Sequence, residues 1–279
     1  MKNKTIVTHI SPDLDAIASS WLIKRYLPGW ESADHAFVPA GNTLDNMKAD
    51  SDKNIIHVDT GLGMFDHHQF SQRLSATKRV FEYLSEEGHI REKDFEAVER
   101  MVSFITEIDN FGEVNFPDPT DIRYSFCLHE MIYPLRGQLT SDVELMNLVM
   151  LMLDAILVNL KSEIKAEQEI QQGLIMKTSW GKTLVLETQN EVTVKHALKD
   201  GYELVVRKDP ETNHVRIKTQ PSKKYNLAPL YDKIRKIDPK ATWFLHASNN
   251  MLLNGSSKNP DSVPSKLTVK DLVAIFKAM

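Results

Sequence analysis

The chain has one cysteine, Cys127, in 279 residues. That scarcity excludes an intramolecular disulfide and any zinc site built on several thiolates, and it suits a reducing compartment. Positive charge is not in surplus either, because 34 Lys and Arg against 38 Asp and Glu leave a formal charge of −4. Affinity for long nucleic acid rests mostly on neutralised phosphates, so a long duplex is a poor match. A short oligonucleotide or a small phosphoester is compatible, with Arg207, Lys208, Lys223 and Lys224 as the local basic groups. There is no low-complexity tract and no internal repeat. "MKNKTIVTHISPDLD" meets acidic residues before any apolar stretch, so it does not read as a secretory signal. The most apolar run, "LMNLVMLMLDAILVNL" at 145–160, is shorter than the ~20 residues that cross a bilayer and is interrupted by Asn147, Asp154 and Asn159. Ser141 and Glu144 form a capping-box pattern ahead of it, which predicts a long buried helix. The expectation is a soluble, cytoplasmic chain without a membrane partner. No obvious aromatic platform for unpaired bases is visible, since Trp180 and Trp243 lie beside strands.

The length predicts two domains, and 42% hydrophobic residues suffice for a core in each. In the first half, short apolar strands alternate with helical patterns, as in a mostly parallel α/β sheet. "KTIVTH", "HAFVPAG" and "NIIHVDTG" are its strands. Helices are predicted from the residues after Pro12 through Tyr26, then over 76–87, 94–109 and 121–133. The long helix from Ser141 is predicted to end near "EIQQGLIM", which sets domains at 1–172 and 173–279. The second is expected to be a smaller mixed α/β domain. It holds strands "GKTLVLET", "YELVVRK", "HVRIKTQ" and "TWFLHAS" and helices "TVKHALKDG", "LAPLYDKIRKI" and "LTVKDLVAIFKAM". "DPETN" predicts a hairpin between the second and third of those strands, and Val215 and Ile217 alternate with Arg216 and Lys218 as on a half-solvated face.

Chemistry concentrates where apolar runs stop. "TIVTHISPDLDAIASSWLIKRY" crowds His9, Asp13 and Asp15 between a strand and a helix. "NIIHVDTG" ends in Asp59, "FDHHQF" brings Asp66, His67 and His68, and a helix finishes at Asp109 in "FITEIDNFG". Each has an ordinary structural alternative. Acids favour first helical turns, Asp59 suits a turn, a histidine can be a core group and Asp109 can terminate its helix. Together, four loops would bring carboxylates and imidazoles to one rim of one sheet, where ligands of parallel α/β sheets collect. Mixed Asp and His donors without thiolates suit two divalent ions of the Mn²⁺ kind, and paired ions can activate a nucleophile against phosphorus.

"THISPDLDAIAS", "VDTG", "FDHH" and "EIDN" resemble, in order, the four motifs of the DHH phosphoesterase superfamily. "FDHHQF" with "LSATKRVFEYL", and "WFLHASNNMLLNGSSK", are similar to its melanocyte-proliferating-gene (Myg) branch. The resemblance implies that His9 and Asp13 hold one metal, that Asp15, His67 and Asp109 hold the other, and that Asp59 bridges both. His68 would act on the substrate phosphate, with Asp59 and His68 as the catalytic pair and Asp66 orienting its neighbours. From the second domain, His246, Asn254, Gly255 and Ser256 would bind substrate, although Asn254 stands where the family pattern has glycine.

The resemblance further implies two Mn²⁺ ions, with Mg²⁺ or Co²⁺ as substitutes, and a 3′–5′ exonuclease or oligoribonuclease acting on short single-stranded RNA. A homodimer is compatible with it. Two alternatives stand beside that reading. One is a hydrolase of a small phosphate compound (pyrophosphate, a nucleoside phosphate or a cyclic dinucleotide), with Lys223, Lys224 and Lys258 as anion contacts. The other is a non-catalytic scaffold or nucleic-acid binder.

Overall fold

The computed structural model describes residues 4–256 and 259–279. The chain is α/β and divides into two compact units, residues 1–159 and 160–279.

The first unit is organised by β1 (Thr5–His9), whose Ile6 and Val7 are fully buried. It runs parallel to β2 (Asp34–Val38) on one side and to β3 (Ile55–His57) on the other, with Val7 opposite Ala36 and His57. Between β1 and β2 lies α1 (Leu14–Tyr26), apolar on nearly every side and correspondingly buried from Leu14 to Ile23. Such a helix sits inside its domain rather than on it. It packs against α2 (Ala76–Glu86) and α3 (Glu92–Asp109), which supply the buried Val80, Leu84, Val98 and Val102.

The helix predicted over 121–133 is two pieces. A 3₁₀ turn covers Ile122–Phe126, Cys127 is extended, and α4 spans Leu128–Arg136 with Pro134 inside it. The last turn of α4 is tied down by Arg136, whose guanidinium donates to the carbonyls of Ser11 (2.6 Å) and Pro12 (2.8 Å).

The long helix α5 spans Asp142–Gln172, almost twice the apolar run seen in the sequence. By length and composition it could cross a membrane. In the structure its row Leu145, Met146, Val149, Leu153 and Leu157 is buried, and Asp154 accepts from the Trp21 indole N–H at 2.9 Å. A carboxylate that interrupts the apolar run therefore binds α1.

The second unit carries six further strands: β4 (Leu174–Thr178), β5 (Gly181–Glu187), β6 (Leu204–Lys208), β7 (Val215–Thr219), β8 (Trp243–Leu245) and β9 (Met251–Asn254). Their spatial order is β4-β5-β6-β7-β9-β8. Among the described residues of this sheet only β5 and β6 pair in parallel, joined through α6 (Val192–Lys199), and the predicted hairpin is the antiparallel pair β6–β7. Helices α7 (Ala228–Ile237) and α8 (Val269–Lys277) cover one face with Leu230, Ile234, Leu272 and Phe276. The other face packs Leu184, Leu186 and Val205 against α6 and the end of α5.

Burial on both faces explains one departure from expectation. All of β6 is buried, so Arg207 and Lys208 are internal rather than local surface charge. Arg207 donates to the carbonyls of Thr188 and Gln189 and pairs with Asp209, and Lys208 donates to the Leu267 carbonyl. Strand β9 is an element that the sequence patterns do not mark. It is held between β7 and β8 by register pairs such as Ile217 with Leu252. Trp180 and Trp243 are core residues with their N–H groups bonded to the Asn226 carbonyl and Asp238.

Candidate metal centre

The centre is assembled where β1 and β3 end. β1 delivers His9, and the loop that follows turns through Ser11, in the left-handed region at φ +58°. This conformation is uncommon for a residue with a Cβ. Besides Arg136 on its carbonyls, Asp142 accepts from the Ser11 N–H at 3.0 Å, so the loop is gripped from α4 and α5.

Asp13 then caps α1, accepting from Ala16 N–H at 3.0 Å, a first role that any N-cap acid would fill. Two residues on, the buried Asp15 accepts from the N–H groups of Ala76 (2.7 Å) and Thr77 (2.8 Å) at the start of α2. β3 leads to Asp59, also left-handed at φ +54° and 4% exposed. α3 ends at Asp109, so its carboxylate adjoins the negative end of a helix dipole.

These groups converge. His9 Nε2 is 3.3 Å from Asp59 and 4.0 Å from Asp13. His67 Nε2 is 3.3 Å from Asp59, 3.5 Å from Asp109 and 3.8 Å from Asp15. Among the described residues three triads of ligand atoms result, His9–Asp13–Asp59, Asp15–His67–Asp109 and Asp59–His67–His68, each within 4.8 Å, so that Asp59 and His67 each belong to two.

Titration follows the same geometry. Burial works against a charge on His9, but its pairing with Asp59, the Ile10 carbonyl and the Asp13 charge raise it to about 9. Pairing with Asp59, with the charges of Asp109 and Asp15, likewise raises His67 to about 9. Burial, then the Asp59 and Asp13 charges, push Asp109 up to about 6. Asp15 is held well above the usual carboxylate range by burial and by Asp59 and Asp109.

The donor set fits a pair of divalent cations. Among the described residues, Asp59 Oδ1 and Asp109 Oδ2 are buried and accept no hydrogen bond of good geometry, and both lie beside the single His67 Nε2, at 3.3 and 3.5 Å. Sharing one imidazole nitrogen, these oxygens are short of the donors that buried acceptors usually have, a shortage a cation would fill. The carboxylates of Asp13, Asp15, Asp59 and Asp109 carry four negative charges when ionised, which two divalent ions balance. All donors are oxygen or imidazole nitrogen, the set suited to Mn²⁺ and its neighbours rather than to a structural zinc.

His68, a member of the third triad, has its side chain 60% exposed and its Nδ1 3.8 Å from Asp59. The buried Asp66 accepts from the His68 main-chain N–H (3.1 Å) and from Leu62 N–H (2.7 Å), and lies 2.7 Å from His68 Nδ1. Nδ1 is thereby occupied and Nε2 is left for another partner.

The second-unit residues do not gather in the same way. The His246 ring pairs locally with Ser248 at 2.9 Å and is exposed. Asn254 is fully buried. Its amide donates to the carbonyls of Thr242 and Val263, both at 3.0 Å, and its oxygen accepts from Ser265 N–H at 2.7 Å. Gly255 is left-handed, φ +80°, and a Cβ there would run into the His214 ring. Gly255 and Ser256 line a cavity of about 240 Å³ with Phe244, but neither His246 nor Asn254 lines it. Lys224 pairs with Glu203, and Lys258 lies outside the described residues.

The motifs did not point to α4. His129, Ile132, Tyr133 and Arg136 all line a pocket that Asp13, Asp15 and Asp109 also line. Their spacing of three, four and seven is one face of a helix, and that periodicity was the available signal.

No protein-family model matches the chain, and no curated protein does. Solved structures give distant likenesses. The chain is similar to RecJ from Thermus thermophilus, solved with Mg²⁺, at 10% identity and a TM-score of 0.35, over 99% of this chain and 49% of that one. It thus spans about half the length of that protein. It is also similar to the DHH domain of a member of a ribosomal-protein family, at 10% identity and a TM-score of 0.33, over 99% and 86% of the two chains. A third likeness is to a Methanococcus jannaschii protein described as a family II inorganic pyrophosphatase. Its identity is 12% and its TM-score 0.22, over 98% of this chain and 99% of that one.

Proposed function

We propose that the chain is a divalent-metal-dependent phosphoesterase that hydrolyses phosphodiester bonds in short single-stranded RNA. The observation that carries this reading is the convergence of His9, Asp13, Asp15, Asp59, His67 and Asp109, with two buried carboxylate oxygens that share the one His67 nitrogen. Bound ions would supply nucleophile activation and neutralise charge on phosphoryl oxygens. His9 and Asp13 would hold one, Asp15, His67 and Asp109 the other, and Asp59 lies within reach of both. Mn²⁺ is the favoured ion from the donor set and the motif resemblance.

The chain's own residues contribute orientation. Asp66 fixes the His68 ring so that Nε2 can meet a phosphoryl or leaving oxygen. The Arg136 and Asp142 contacts hold the loop between His9 and Asp13 in its strained turn. The motif resemblance, rather than charge or spacing, supports the RNA preference and the 3′–5′ polarity.

The test is Mn²⁺-dependent turnover of the dinucleotide pApA, a labelled RNA 24-mer and pyrophosphate, beside Asp59→Ala. Release of mononucleotides, lost in the variant, is expected. Phosphate released from pyrophosphate alone would replace this reading with that of a small-phosphate hydrolase. Stoichiometric metal binding with no turnover of any substrate would overturn the catalytic reading.

A further inference from the structure

The pocket beside the metal ligands has a volume of about 310 Å³, at the small end of the range for organic ligands. Asp13, Asp15 and Asp109 form part of its lining. The remainder differs in character, because Leu14, Ile105, Ile108 and Ile132 give it an apolar floor.

Two aromatic residues complete the lining, and both face solvent. Phe111 is 75% exposed and Tyr133 is 79% exposed. Phe111 is not loose at the end of α3. It is fixed at φ +56°, and its neighbour Asn110 donates to the carbonyls of Leu74 (2.9 Å) and Thr106 (2.8 Å). A bulky residue in that backbone region persists only where its surroundings impose it.

Two nitrogen-bearing side chains, Arg136 and His129, line the pocket as well. Arg136 uses its terminal nitrogen on the Ser11 and Pro12 carbonyls, whereas its Nε is buried and, among the described residues, has no hydrogen-bond partner. His129 Nδ1 is buried and unpartnered in the same sense. A compact inorganic anion would call for several converging cations and would gain nothing from apolar walls. A nucleoside has the opposite needs: a flat π-face for aromatic contact and polar edges for a few donors and acceptors.

We infer that this pocket receives the base and sugar of the nucleotide whose phosphate lies at the metal centre, with Phe111 and Tyr133 contacting the base. The inference rests on the phosphoesterase reading for the position of the phosphate, and it makes the substrate class nucleotidyl. Arg136 then couples the two halves of the site, since it grips the loop that carries His9 and Asp13 and borders the base.

Calorimetric titration of the Mn²⁺-loaded full chain with AMP and with ribose 5-phosphate isolates the base. AMP should bind about tenfold to a hundredfold more tightly, as aromatic stacking on one base implies. Phe111→Ala and Tyr133→Ala should each remove much of that difference, and together nearly all of it, with ribose 5-phosphate affinity unchanged. Both side chains are exposed, so unchanged melting of the variants is expected, and unchanged sugar-phosphate binding reports an intact metal centre. Equal affinity for the two ligands in the unmodified protein would overturn the inference. So would a base preference that survives the double substitution. Turnover of pApA without base preference would leave the phosphoesterase reading standing and remove this one. Base preference without turnover would do the reverse.

Discussion

The carboxylate of Asp66 accepts the main-chain N–H of His68 and pairs with the Nδ1 of the same ring, so one buried acid fixes both the backbone and the side chain of its second neighbour. Such an arrangement sets the tautomer of an imidazole and the direction in which its other nitrogen points. Asp66→Asn keeps the shape but can no longer serve as an anionic acceptor for an Nδ1 proton. The expected result is a fall of roughly 10- to 100-fold in kcat with Mn²⁺ affinity unchanged. The pH profile of kcat should shift with it, which a purely structural role for Asp66 would not produce. Steady-state kinetics and metal titration of the same preparation check both.

Asp109 is a buried acid at the negative end of α3, and its titration lies at about 6. Its folded-state pKa exceeds the ordinary value of 3.8, so the folded protein binds this proton more tightly than the unfolded chain. Stability from this group is therefore lost as pH rises from about 4 through 6. Without metal, Asp109→Asn should be more stable than the natural chain at pH 7.5, by about 1–3 kcal/mol. With Mn²⁺ the order should reverse, because the variant forfeits a ligand. Urea melts with EDTA and with Mn²⁺ would show the crossing, and its absence would mean that Asp109 does not serve a cation.

His9 and His67 carry protons to about 9 in the metal-free protein. Their raised values contribute stability that is full below about pH 6.5 and disappears as pH climbs through 9. Metal ligation requires the neutral rings, so binding must expel those protons. Calorimetry at pH 7 in buffers of different ionisation enthalpy should report release of about two protons when both ions bind. Apparent affinity should rise between pH 7 and 9. A buffer-independent heat would contradict the pairing of both histidines with Asp59.

The candidate ligand cluster was legible because several of its members stand where a patterned run can be read as an element ending. His9 closes β1, Asp59 follows β3, and Asp109 is the last residue of α3. Local pattern was enough for that. It did not reach the pocket, because the helix expected over 121–133 stops short of Arg136, and the face shared by His129, Tyr133 and Arg136 appears only when α4 continues past Pro134. Nor could local pattern show that Asp15 caps α2, a pairing across about sixty residues of chain (Asp15 to Ala76 and Thr77). Arg207 and Lys208 looked like surface charge for a similar reason. Their burial depends on a sheet covered on both faces, which no single strand announces.

Asn254 gives the sharpest contrast between motif and structure. Its position in "MLLNGSS" suggests a loop residue facing substrate, yet it ends β9 with its amide bound to three main-chain groups. Removing that amide leaves the buried Ser265 N–H without its acceptor and takes a donor from the part-buried Thr242 and Val263 carbonyls, of which Val263 keeps the Thr242 N–H. A buried group left unpaired costs about 1–3 kcal/mol before relaxation. Asn254→Ala should therefore destabilise the protein by about 2–4 kcal/mol, seen as a lower urea midpoint. His246→Ala should leave the midpoint unchanged, because that exposed ring meets its neighbour Ser248 and the edge of the exposed Phe244. Should Asn254→Ala instead keep full stability and weaken only substrate binding, the amide would have to leave these partners in the bound state. The contacts with Thr242, Val263 and Ser265 would then be those of a ligand-free conformation alone.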